Sequence, residues 1–172
     1  MAKSMKKILL LATVQTALGT AATPTAAANA ILGRAIMPEP ITAEQVARNL
    51  IRPYKGNSGK LTAGEHRKLT VEVEMAGSGT AGTAPAWGPL LLACGFSETV
   101  TAGTDVTYNL VSEGEPFITL HCWLDGTLFV LTDAKGTVSM ELNPKGIPVF
   151  KFEFLGAYSA PTEGVMPVAA DY

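Results

Sequence analysis

The chain has 172 residues, room for one domain of ordinary size but not for two enzyme domains. Charged residues are 16% and hydrophobic residues 47%, which excludes charge-driven disorder, while 24 Ala, 19 Thr and 17 Gly make a surface that has to be hidden inside the fold or against other subunits. The net charge of −2 conceals 10 Lys or Arg and 3 acids in residues 1–68 against 3 and 12 in residues 69–172, and a middle section so poor in cations does not suit gripping DNA or RNA.

At the amino end, Lys3, Lys6 and Lys7 precede the apolar run Ile8 to Ala12, and Ala26-Ala27-Ala28 or Ala28-Asn29-Ala30 offers an A-x-A cleavage site. This start matches a secretory signal, although Thr13, Gln15 and Thr16 soon interrupt the apolar stretch. No segment approaches the roughly 18 apolar residues of a membrane span. Residues 1–30 and 157–172 lack clean periodicity and read as arms. Between residues 39 and 64, Thr42-Ala43-Glu44-Gln45 fits a capping box, but Pro53, Gly56, Gly59 and Gly64 break any long element. An extended segment or short helix leading into an exposed loop at about 52–66 is expected there, with Arg48, Arg52, Lys55 and Lys60 clustered on it.

From residue 67 onward the pattern is of strands. Leu69, Val71, Val73 and Met75 alternate with Thr70, Glu72 and Glu74, the period-two mark of a half-exposed strand. A Gly-, Thr- and Ala-rich loop follows over 76–84. Trp87, Leu90, Leu91 and Cys94 then recur at helical spacing, predicting a short helix over about 86–94 that stops at Gly95. Further strands are expected at Val106–Leu110, at Phe117–Leu124 and Thr127–Leu131 around the hairpin turn Asp125-Gly126, and at Val138–Leu142 and Ile147–Leu155 around Asn143-Pro144-Lys145-Gly146. The fold class that follows is mainly β, an antiparallel sandwich or barrel with one flanking short helix and extended terminal arms. The corresponding division is an arm over 1–30, a β-domain over 31–158 and a second arm over 159–172.

Gly77-Ser78-Gly79-Thr80-Ala81-Gly82 matches the dinucleotide fingerprint G-x-G-x-x-G. The strand before it alternates Val with Glu instead of being apolar on both faces, and Thr83-Ala84-Pro85 delays the helix beyond phosphate reach. The segment therefore reads as a flexible loop, with no cofactor. Cys94 and Cys122 permit one disulfide or two buried thiols. Cys122 adjoins His121, but the other histidine, His66, stands beside Arg67 and Lys68, so no metal site is expected. None of the serines lies in G-x-S-x-G, Glu113 and Glu115 flank Gly114 in a loop, and no catalytic residue is expected.

The run Met75 to Phe96, with Glu98-Thr99-Val100 after it, resembles the major tail (tail tube) proteins of long-tailed bacteriophages. The Thr- and Ala-rich stretch 19–31, Leu50-Ile51-Arg52-Pro53-Tyr54, Lys135 to Val138 and Ile147 to Phe152 extend the resemblance over roughly residues 8–172. The lysine-flanked start departs from it. The resemblance implies a virion structural protein, not an enzyme, made in the host cytoplasm and assembling into stacked hexameric rings. It further implies tape-measure and tail-end proteins as partners, passage of DNA without specific binding, and no membrane. On this reading the eight acids between Lys68 and Lys135 supply a candidate lumen lining, with Glu72, Glu74, Glu113 and Glu115 as the residues to test. Arg48, Arg52, Tyr54, Lys55, Lys60 and Tyr172 are candidate contacts between subunits or rings. The alternative is an exported pilin-like surface subunit with a cleaved signal.

Overall fold

Alternation in the sequence becomes sheet, and the sheet is long. The structure, a computed structural model, describes residues 4, 6–56, 58–168, 170 and 172. Its elements are β1 (Ile8–Val14), α1 (Ala26–Asn29), β2 (Ala30–Ile31), β3 (Gly33–Pro38), β4 (Thr42–Ala47), β5 (Lys60–Glu74), α2 (Gly88–Leu92), β6 (Phe96–Thr101), β7 (Asp105–Leu110), β8 (Ile118–Leu124), β9 (Thr127–Glu141), β10 (Val149–Tyr158) and β11 (Thr162–Glu163). Nine strands make one antiparallel sheet in the order β2-β1-β8-β9-β10-β5-β3, with β4 added to β5 and β11 to β9; β6 and β7 form a separate hairpin. Only Leu32 separates β2, which pairs with β1, from β3, which pairs with β5. The sheet thus curls until its two ends are neighbours, a sandwich-like body rather than a closed barrel.

The inner face explains the curl. Leu69, Val71 and Val73 of β5 and Phe150, Phe152 and Phe154 of β10 point inward, where they meet Leu10 and Ala12 of β1, Ile118, Leu120 and Cys122 of β8, and Leu90 and Leu91 of α2. Successive phenylalanines on β10 have ring centroids 5.8 and 5.9 Å apart, and Trp87 sits 5.1 Å from Phe150 and 5.5 Å from Tyr108, closing the open end of the core. Fully burying each large apolar side chain contributes about 1.5–3 kcal/mol. Asp125 and Gly126 both have positive φ, 42° and 86°, the geometry of a type I′ turn that Asp-Gly supplies without strain.

Several expectations change. The arm foreseen over 1–30 contains β1, which pairs with β8 over seven consecutive residues and buries Leu9, Leu10 and Leu11 on both faces of the sheet. Its apolar run is core sequence, and Leu9 and Leu11 pack with Ala30, Trp123 and Met166. Of the extended segment or short helix expected after residue 39, residues 42–47 take the extended form. They form β4, because pairing to residues 60–66 outweighs the local capping signal, and the loop foreseen at 52–66 is strand from Lys60. The two strands expected at 127–131 and 138–142 are one strand, β9, kinked at Asp133 (φ 52°), where the pairing with β10 shifts register. β6 was not foreseen, and a second short helix, α1, joins the one expected near Trp87. In the second arm, Thr162 and Glu163 pair with Leu128 and Thr127.

Candidate functional site

The β4–β5 hairpin carries the basic cluster. Val46 pairs with Leu61, and both are exposed, as are Ile41, Leu50, Ile51 and Tyr54. Several large apolar side chains are thus exposed along one projection. Arg48, Arg52, Lys55 and Lys60 are all exposed on the same projection. The Arg52 guanidinium lies 5.8 Å from the Tyr54 ring centroid and donates to its hydroxyl at 3.4 Å. Among the expected contact residues, the structure therefore brings Arg48, Arg52, Tyr54, Lys55 and Lys60 together and leaves Tyr172 elsewhere.

The projection is rooted by Arg67, a residue sequence reasoning treated only as a cation beside His66. Arg67 is fully buried. Its Nε and Nη2 donate to the Pro40 carbonyl at 3.1 and 2.9 Å and its Nη1 to the Val130 carbonyl at 3.4 Å. The guanidinium lies 5.0 Å from the Phe129 ring centroid and 4.8 Å from that of Tyr158. Burial pulls its pKa below the ordinary arginine value, partly offset by Tyr158. Carbonyls and ring faces thus replace water around the cation and tie the entry to β4 onto β9. The alternation Val71, Leu69, Arg67 put this side chain on the inward face, a signal available in the sequence.

At the other end of β5 lies a cavity of about 600 Å³ lined by Ile31, Leu32, Pro85, Trp87 and Tyr172, with Glu74 and Arg34 on its wall. Trp87 donates through Nε1 to the Ala76 carbonyl at 2.8 Å, which fixes the indole there. The Gly-rich segment beside it is anchored rather than flexible. Ser78 Oγ donates within 3.0 Å of the Thr80 carbonyl and 2.8 Å of that of Thr83, and Gly82 lies so close to the β6–β7 turn that a Cβ would stand 2.3 Å from the Gly103 nitrogen. Tyr108 hydroxyl donates to Glu98 Oε2 at 2.5 Å next to Gly88, and burial, then this bond, raises the tyrosine pKa.

The outward face of β5, β10 and β9 is charged. Glu72 and Glu74 stand on it, whereas Glu113 and Glu115 sit on the loop between β7 and β8, so the four candidate lumen acids divide into two places. A window without cations in the sequence has them in space. Register places Lys68, Lys135 and Lys151 on the same face. Lys151 lies 3.6 Å from Glu72 and 2.6 Å from Glu141, and Lys135 lies 3.6 Å from Glu115 and 4.6 Å from the Phe117 ring centroid. The hydrogen bond from Lys151 lowers the Glu141 pKa, and the same bond raises that of Lys151. Glu74 has no ion pair among the described residues.

Cys94 and Cys122 are free thiols, partly and fully buried, and burial pushes each up to about 12. Burial likewise lowers the pKa of His121. Among the described residues no group of three or more His, Cys, Asp or Glu is placed to hold a metal ion, and no helix is long and apolar enough to cross a membrane.

Among solved structures, the cryo-EM structure of the anti-feeding prophage cap, the AFP tube terminating cap, aligns with a TM-score of 0.52 at 8% identity, over 95% of this chain and 93% of that one. The two share a fold. The likeness runs through nearly the whole of both chains. No family model and no curated protein matches the sequence.

Proposed function

We propose that this chain is a structural subunit of a phage-tail-type tube, associating with copies of itself into rings that stack. The observation that carries the reading is the β4–β5 hairpin. A projection with Leu50, Ile51 and Tyr54 exposed at its end is left uncovered by the described residues of its own chain, on a fold shared with a tube terminating cap. By the sequence resemblance the ring is hexameric, the tube is the conduit for DNA ejection, and the chain resides in the virion tail. The charged sheet face around Glu72 and Glu74 is the candidate lining, of mixed sign rather than purely acidic, so DNA would meet screened ion pairs.

Electron microscopy of the purified full-length protein over a range of concentrations tests this. Rings or tubes are expected, and a monodisperse monomer throughout would overturn it. The likeness to a terminating cap favours a second reading, in which rings form but do not propagate. Single rings without tubes would select it. An exported subunit cleaved after Ala28 or Ala30 would lose β1 and leave one edge of β8 unpaired. Intact mass distinguishes that case by a loss of about thirty residues.

A further inference from the structure

The outer face of β1 and β8 has its own cover. Leu9 and Leu11 point away from the main core, and the register of the two strands sets Leu9 beside Trp123. Over this face runs the stretch that follows β11. Glu163 pairs with Thr127 of β9, the Gly164 amide donates to the Gly126 carbonyl at 2.9 Å, and Met166 and Ala170 pack on Leu9, Leu11 and Ala30. Tyr172 then lines the cavity that holds Ile31, Leu32 and Trp87. The stretch thus passes from β9 over β8 and β1 to β2, in the order of those strands in the sheet. We infer that residues 164–172 are a releasable strap, which when seated hides the apolar strip of Leu9, Leu11 and Trp123 and when lifted exposes it while the sheet stays folded.

The two ends of the strap are held very differently. Its root follows β10, which is paired along one edge with β5 and along the other with β9. At Gly164 the chain lies directly on the indole, since a Cβ there would stand 3.3 Å from the Trp123 ring. Beyond Gly164 no hydrogen bond holds the stretch among the described residues. Apolar contact alone seats it, through the half-buried Met166 and Ala170, while Val165 and Val168 face outward at 90% and 94% exposure. A segment with few buried contacts and no backbone ladder opens at a far lower free energy than the strands beneath it. Those strands do not depend on it for pairing, because β1 keeps seven residues in register with β8 whether the strap is down or up. Seated, the strap is an autoinhibitory cover. Lifted, it bares the strip and the Tyr172 side of the cavity together, a contiguous apolar surface of the kind that makes contacts.

The test labels the full-length protein with 5-fluorotryptophan, which gives one fluorine resonance each for Trp87 and Trp123, and compares Met166→Asp with the parent. A charge at a half-buried apolar anchor should raise the ratio of lifted to seated strap by about tenfold or more. The Trp123 resonance should move toward its position in the urea-unfolded chain, and fluorescence of the apolar dye ANS should rise. Adding Ala170→Asp should carry both changes further. Amide exchange in β8 and β10 should keep the parent's rate, because the sheet is untouched. Val168→Asp, on the outward side, should change neither signal. An unmoved Trp123 resonance in the double variant, or a Val168→Asp effect as large as that of Met166→Asp, would overturn the seating of the strap. Faster exchange in β8 and β10 in step with the fluorine shift would overturn its release, since the strap would then open only with the sheet.

Discussion

Replacing Arg67 isolates the root of the hairpin. The side chain is fully buried, makes three hydrogen bonds to two backbone carbonyls and lies between two aromatic rings, with no carboxylate at ion-pair distance among the described residues. Arg67→Ala strands the Pro40 and Val130 carbonyls and opens a cavity, an expected loss of about 3–5 kcal/mol. At about 4 kcal/mol the melting temperature should fall by roughly 8–16 °C for a chain of this size. Arg67→Met also loses the hydrogen bonds, but it fills most of the volume and removes a buried cation whose desolvation opposes folding, so about 1–2 kcal/mol is expected. Urea unfolding of both variants gives these differences. Hydrogen exchange locates them, with faster exchange in β4 and no change in β8. Two variants within about 0.5 kcal/mol of the parent, or a Met variant as damaged as the Ala variant, would refute the account of a cation held by carbonyls and rings.

Other expectations follow from single contacts. Gly82→Ala should cost about 2 kcal/mol or more in chemical unfolding, since φ is +68° and the new Cβ would stand 2.3 Å from the Gly103 nitrogen, whereas Gly77→Ala, with open space around it, should lie within about 0.5 kcal/mol of the parent. Equal effects would show that the loop is not anchored at Gly82. Stability should decline as pH rises from 9 toward 12, because the unfolded chain loses its thiol protons near 9 while Cys94 and Cys122 hold theirs to about 12. The double variant Cys94→Ala/Cys122→Ala should have a flatter profile in urea titrations at pH 8 and 10.5; an unchanged slope would assign the decline to other groups. Leu10→Ala, at a fully buried position of β1, should cost about 2–5 kcal/mol and Leu18→Ala, which is 68% exposed, about 0.5 kcal/mol or less. A mild Leu10 effect would mean that β1 is dispensable to the core.

What could be read from the sequence was what neighbouring residues decide. Asp125-Gly126 sets the β8–β9 hairpin through its own dihedral preferences, and the Trp87-to-Cys94 spacing gives α2 its buried face. β1 was opaque because the residue that pairs with Leu10 is Cys122, and a lysine-flanked apolar run has the same composition whether it precedes a cleavage site or enters a sheet. β4 was opaque for a related reason. It lies wholly at the surface, so no burial pattern marks it, and its extended form comes from β5 alone. The basic and aromatic residues of the hairpin were identifiable as a group, but the apolar cavity was not, since its walls come from residues 30–34, 73, 74, 76–78, 85–87 and 172. The cation-free stretch misled in the same way, because strand register returns Lys68, Lys135 and Lys151 to the acids.

The place of β1 also sets a timetable for synthesis. Its partner β8 begins at Ile118 and ends at Leu124, so the Leu-rich strand leaves the ribosome long before anything exists to pair with it. At about 5–20 residues per second, the interval is roughly 5–20 s. Through that time a nascent chain carries a short apolar segment behind three lysines without its sheet partner, until the hairpin of β8 and β9 arrives. The first strand of the fold therefore waits for a partner that is made later in the chain, as β5 waits for β10.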